Sequence, residues 1–112
     1  MVLYRLTRSN PPSEQDFLSA WDLGRRPPAG LSGRDRIRQE EAYKALSMLR
    51  TLEAALRYAR KYPKVGSFVS KVAIPAEVRV TNGGDHANVH GVEPRLALTW
   101  VLSTTPVSEG MK

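Results

Sequence analysis

Across residues 51–61, T-L-E-A-A-L-R-Y-A-R-K, the apolar residues Leu52, Ala55, Leu56 and Ala59 recur at i, i+3, i+4 and i+7. That spacing aligns them along one stripe of a helix, and such a stripe has to face a core. Thr51 is a good N-cap, Glu53 suits the positive end of the helix dipole, Lys61 suits the negative end, and Pro63 stops the helix. The segment before it, residues 45–49, reads as a short strand. The segment after Gly66, S-F-V-S-K-V-A-I, is rich in β-branched and aromatic residues and reads as another, closed by Pro75.

The rest of the chain falls into place around these elements. Residues 2–7 alternate, with Val2, Tyr4 and Leu6 on one face and Leu3, Arg5 and Thr7 on the other, as a short strand does. Asn10-Pro11-Pro12 breaks the chain. Ser13 and Asp16 then make an approximate capping box for a short helix with a core stripe of Phe17, Ala20 and Trp21 and with Gly24 as its C-cap. R-R-P-P-A-G-L-S-G, residues 25–33, holds two prolines and two glycines and must be a loop. Residues 34–44, with Ile37 and Tyr43 as the only apolar anchors, predict a largely exposed helix. E-V-R-V-T leading into N-G-G-D predicts a hairpin with A-N-V-H. Alternation of Leu96, Leu98, Trp100 and Leu102 predicts a final strand, and Pro106 begins a polar tail. Helices come early and strands late, so the expected class is α+β with a mainly antiparallel sheet, continuous or split, and two to three helices. Residues 1–107 form a single domain in this reading and 108–112 a disordered tail.

Composition excludes several functions. The 112 residues contain no cysteine, which removes disulfides, thiolate metal sites and cysteine nucleophiles. Apolar runs fall far short of the roughly 20 residues that span a bilayer, and the N-terminal apolar stretch is too short for a secretory signal, so a cytoplasmic protein with no membrane partner is expected. The net charge of +6, from 17 Lys and Arg against 11 Asp and Glu, favours anionic ligands. The excess gathers at 25–38 and 57–64, without the interleaved aromatics or motif of a nucleic-acid binder. No phosphate-binding glycine loop, dinucleotide fingerprint or hydrolase elbow occurs. His86 and His90 are spaced for one face of a strand, which would separate their rings by about 13 Å, so no metal site is expected. The histidines are instead candidates for donors to an anionic ligand, His86 foremost, for a general base, or for no more than the cap of a turn.

One stretch resembles a known family. S-M-L-R-T-L-E-A-A-L-R-Y-A, residues 47–59, is similar in spacing to the ADP-ribosyltransferase segment in which a strand carrying S-T-S precedes an alanine-rich helix ending in an aromatic-alanine pair. Ser47 falls on the first serine and Tyr58-Ala59 on the pair. The opening L-Y-R, with N-P-P and D-F downstream, resembles small bacterial proteins associated with this fold. In the arginine-serine-glutamate group, the resemblance implies, an arginine on the first strand contacts NAD, the serine supports the nicotinamide pocket and a late glutamate assists transfer at the ribose. Arg5 looks like that arginine. Met48 and Leu49 stand where the family has threonine and serine, and no E-x-E or Q-x-E precedes the last strand. Glu93 is then the nearest acid, with Glu77 behind it.

Cleaving a nicotinamide-ribose bond passes through an oxocarbenium-like state, so a carboxylate must lie beside the ribose while donors hold the pyrophosphate. The implied catalytic set is Arg5, Ser47 and Glu93, and the implied NAD-binding set is Arg5, Arg25, Arg26 and His86. Two other functions fit the same residues. One is a non-catalytic binding module whose basic loop and helix contact nucleic acid or an acidic protein. The other is an accessory subunit that uses Trp21 or Trp100 at an interface.

Overall fold

The computed structural model describes residues 1–110. In chain order the elements are β1 (Val2–Thr7), a 3-10 turn (Glu14–Phe17), α1 (Gly33–Lys44), β2 (Leu46–Leu49) and α2 (Leu52–Lys61). Then come β3 (Phe68–Ala73), β4 (Val80–Gly83), β5 (His86–Val89), α3 (Pro94–Leu98), β6 (Val101–Pro106) and α4 (Val107–Gly110). The class is α+β: six antiparallel strands in the order β4-β5-β2-β1-β3-β6, with four helices among the described residues.

Strand alternation divides the apolar residues between two faces, and each face carries its own core. Leu3, Leu46, Met48, Val72, Ala87 and Val89 pack on one side with Phe17 from the 3-10 turn and Ala97 from α3. Leu6, Leu49 and Val69 pack on the other with Ala54, Ala55 and Ala59 of α2 and, at its margin, Val107 of α4. α2 begins as its sequence predicts, the Thr51 hydroxyl oxygen accepting from the Ala54 N–H at 3.0 Å. Its buried stripe is turned slightly from the expected one, because Leu52 is exposed and Ala54 takes the inward place. Small alanines at three inward positions let the helix axis approach the sheet closely. The return to β3 is equally tight: a Cβ on Gly66 would lie 2.5 Å from the Thr7 carbonyl oxygen, so only glycine fits.

The hairpin forms on the predicted turn, Gly83 pairing with His86 across Gly84-Asp85, and Gly84 takes φ +73°. Three expectations need correction. The helix after Asn10-Pro11-Pro12 is a four-residue 3-10 turn, and Trp21 is half-buried beneath the cations of Arg26 and Lys44 instead of lying in the core. The final strand does not run from Leu96. Pro94 opens α3 at a position where its missing N–H is harmless, and the chain turns into β6 only after Trp100, whose carbonyl accepts from Ala73 N–H. Pro106 closes β6 opposite Phe68, and residues 107–110 continue as a helical turn. The last two residues of the expected tail, 111–112, lie outside the described residues. No described helix is long and apolar enough to cross a membrane.

Candidate functional site

β1 and β2 meet through one register pair, Tyr4 with Leu49, whereas β1 pairs with β3 along its whole length. Beyond Tyr4 the two central strands part, and their main-chain polar groups need other partners. Arg5 supplies them. Its guanidinium donates through Nη1 to the Ser47 carbonyl of β2, through Nε to the Asp16 carbonyl at 2.9 Å, and through Nη2 to the Leu18 carbonyl at 3.1 Å. Three of the five N–H donors of the guanidinium are thus committed to main chain. Burial pushes the Arg5 guanidinium below its ordinary value, opposed by the Asp16 carboxylate and, less, by Tyr58. A guanidinium still keeps its charge at any physiological pH.

Asp16 is fixed in turn. One carboxylate oxygen accepts from Arg8 N–H at 2.8 Å, and the other from Ser13 N–H at 2.9 Å and from the Ser9 hydroxyl at 3.3 Å. The capping role expected of Asp16 is therefore real, and the same carboxylate also closes the loop leaving β1.

At this parting of the sheet lies a cleft of about 570 Å³. Arg5, Asp16 and Leu18 line it from one side, Ser47, Tyr58 and His86 from the other, and Arg8, Arg25 and Lys64 complete it. Arg5 and Ser47 leave the sheet on opposite faces, since Arg5 alternates with Leu6 and Ser47 with Met48. Arg5 therefore reaches the Ser47 carbonyl and not its hydroxyl. The Ser47 hydroxyl is half-buried and makes no hydrogen bond among the described residues. His86, opposite Leu49 in the ladder, stands edge-on to Tyr58 with ring centroids 5.3 Å apart, and Tyr58 lies 4.7 Å from Tyr62.

Of the residues singled out in the sequence, the cleft brings together Arg5, Ser47, Arg25 and His86. Arg26 lies outside it, in a second hollow beside Trp21. Glu93 is exposed at the N-cap of α3, where its carbonyl accepts from Leu96 and Ala97, and its carboxylate does not line the cleft. Glu77 is not at the cleft either. The two histidines part company: His90 Nε2 lies 2.7 Å from the Thr81 hydroxyl, away from the cleft.

Sequence reasoning missed Arg8 and counted Lys64 only within the basic run 57–64, not as a site residue. Each stands just after the end of a regular element, Arg8 after β1 and Lys64 after Pro63, and a charge at such an end was a usable signal. The side chains of Arg8, Arg25 and Lys64 make no hydrogen bond or ion pair among the described residues. With Arg5 they set four cationic groups against the single carboxylate of Asp16. Such a surface attracts phosphate or carboxylate anions. No family model, no curated protein and no solved structure matches the chain.

Proposed function

We propose that the chain binds NAD or a related phosphate-bearing nucleotide in the cleft between β1 and β2. The observation that carries this reading is the convergence of Arg8, Arg25 and Lys64, three cations without a side-chain partner among the described residues, on a cleft whose only carboxylate among the described residues, Asp16, already accepts three hydrogen bonds from the protein. The cations suit a pyrophosphate, and the edge of Tyr58 with His86 suits a flat heterocycle. Transfer of ADP-ribose would further need a carboxylate at the ribose. Asp16 is already held by three hydrogen bonds from the loop that follows β1 and Glu93 stands elsewhere, so binding is favoured over transfer. A cytoplasmic setting goes with the proposal, because nucleotides of this class are held inside cells.

The test is calorimetric titration of the purified protein with NAD, ADP-ribose and inorganic pyrophosphate, followed by chromatography for free nicotinamide. Saturable binding that weakens with salt, without nicotinamide release, is the expected result. Absence of binding by all three ligands removes the reading, and nicotinamide release restores the transferase.

A second reading, contact of α1 and its preceding loop with nucleic acid or an acidic protein, is favoured by α1 itself. None of its 12 residues is buried, and Arg34 and Arg38, one turn apart, have no ion-pair partner among the described residues. Salt-sensitive binding of a labelled oligonucleotide that Arg34→Ala abolishes and NAD does not compete away would support it.

A further inference from the structure

Arg25 and Arg26 are neighbours in sequence and divide in space. Arg25 lines the cleft, and Arg26 turns back on its own loop. The Arg26 guanidinium lies 3.7 Å from the centroid of the Trp21 ring, and its Nη1 donates to the Trp21 carbonyl at 3.0 Å and to the Arg25 carbonyl at 2.8 Å. The Arg25 N–H donates to the Ala20 carbonyl at 3.0 Å. Both main-chain polar groups of Arg25 are therefore tied. Trp21 is itself anchored to the last turn of α1, its N–H donating to the Tyr43 carbonyl at 2.9 Å and its ring lying 4.5 Å from Lys44 Nζ.

Beyond its N–H bond to Ala20, Arg25 sits in an irregular segment. It follows Gly24, at φ +85°, and precedes Pro27-Pro28 and Gly30, at φ +93°, a segment with no regular ladder of its own. A long cation on such a chain loses much freedom when it grips an anion, and that loss subtracts from affinity unless the main chain is fixed beforehand.

We infer that Arg26, stacked on Trp21, is the positioning residue that pre-sets Arg25 at the mouth of the cleft. The inference rests on the reading of the cleft as an anion site. It reassigns Arg26 from ligand contact to a latch, and it makes Trp21 a reporter of cleft occupancy. The latch needs the planar guanidinium, which stacks and donates at once, so lysine cannot replace it.

The test titrates NAD into the wild type, Arg25→Ala, Arg26→Lys and the Arg25→Ala/Arg26→Lys double variant. Arg25→Ala should weaken binding about tenfold, the loss of one charge-assisted contact. Arg26→Lys keeps the charge and should weaken binding about threefold to fivefold through lost pre-organisation. The double variant should bind no more weakly than Arg25→Ala alone, because Arg26 acts only through Arg25. In a Trp100→Phe background, inorganic pyrophosphate should shift Trp21 emission, and Arg26→Lys should abolish that shift, which a general loss of stability would not do. If wild-type protein and Arg25→Ala differ as expected while Arg26→Lys binds and reports like the wild type, or if the two losses multiply, the latch is wrong and the cleft stands. If the wild type binds neither NAD nor pyrophosphate, both readings fall together.

Discussion

Two kinds of cation surround one cleft. Arg5 is half-buried, and its guanidinium is divided among the carbonyls of Asp16, Ser47 and Leu18. Arg8, Arg25 and Lys64 are exposed, and their side chains have no partner among the described residues. The first holds the parted strands at a fixed separation, and the others face whatever enters. Lining a cleft does not by itself make a residue a ligand contact; what counts is how much of its bonding capacity the protein has already taken. The largest test of the contrast is Arg5→Ala. It leaves three carbonyls without their charged donor beside the Asp16 carboxylate, and should cost about 3–5 kcal/mol in a urea melt, or prevent folding. Arg5→Lys retains the charge without the fork and should recover only part of that loss. If Arg5→Ala melts like the wild type and only NAD binding suffers, Arg5 belongs with the rim cations and the contrast collapses.

Asp16 probes the same scaffold from the acidic side. Asn in its place keeps one acceptor and turns an NH2 group toward donors it cannot satisfy, among Arg8 N–H, Ser13 N–H and the Ser9 hydroxyl. Asp16→Asn should lower stability by about 1–3 kcal/mol. NAD affinity, measured well below the melting temperature, should change little. A large affinity loss with stability intact would make Asp16 a ligand-facing carboxylate and reopen transfer chemistry.

The rim should behave in the opposite way. Arg8→Ala and Lys64→Ala each remove an exposed side chain without a partner among the described residues, so stability should stay within about 0.5 kcal/mol of the wild type. NAD binding should weaken about tenfold for each, and its salt dependence should flatten. A rim variant that destabilises the protein as much as Asp16→Asn would erase the distinction between scaffold and rim.

How much of this was legible in the sequence follows the range of the forces involved. The capped helix of 51–61, the N-G-G-D hairpin and the strand at 2–7 are set by local spacing and turn chemistry, and they form where the residues predict, the inward stripe of the helix alone being turned from Leu52 to Ala54. The span 94–103 misled because an alternation of apolar residues fits a strand while Pro94, in front of it, marks a helix start. Burial of Ala97 against the sheet decided in favour of the helix. Arg5 and Ser47 were singled out by resemblance and His86 as one of the two histidines, and they do line one cleft. What the sequence could not reveal is that Arg5 and the Ser47 hydroxyl leave opposite faces. That depends on the register of β1 against β2, a contact between residues more than 40 positions apart. The separation of Arg25 from Arg26 depends likewise on Trp21, which no local pattern ties to its neighbours' side chains.

The histidines repeat the contrast on a smaller scale and provide the weakest test of it. His86 stands in the cleft against Tyr58, while His90 is bonded to Thr81 outside it. Burial lowers the His90 pKa from 6.5, the Arg79 guanidinium lowers it further, and Glu41, which pairs with Arg79 at 3.7 Å, partly opposes both. The folded chain therefore takes up its proton at lower pH than the unfolded chain does. Between the two values the unfolded state binds more protons, so stability rises with pH through that window. The contribution is present above about pH 6.5 and is lost as the pH falls from there toward the folded value. His90→Gln keeps a hydrogen-bonding partner for Thr81 and removes the titration. Its urea midpoint should change less than that of the wild type between about pH 7.5 and pH 5.5. Equal slopes for the two proteins would mean that His90 titrates as freely in the fold as outside it, and that the Thr81 contact does not hold the ring.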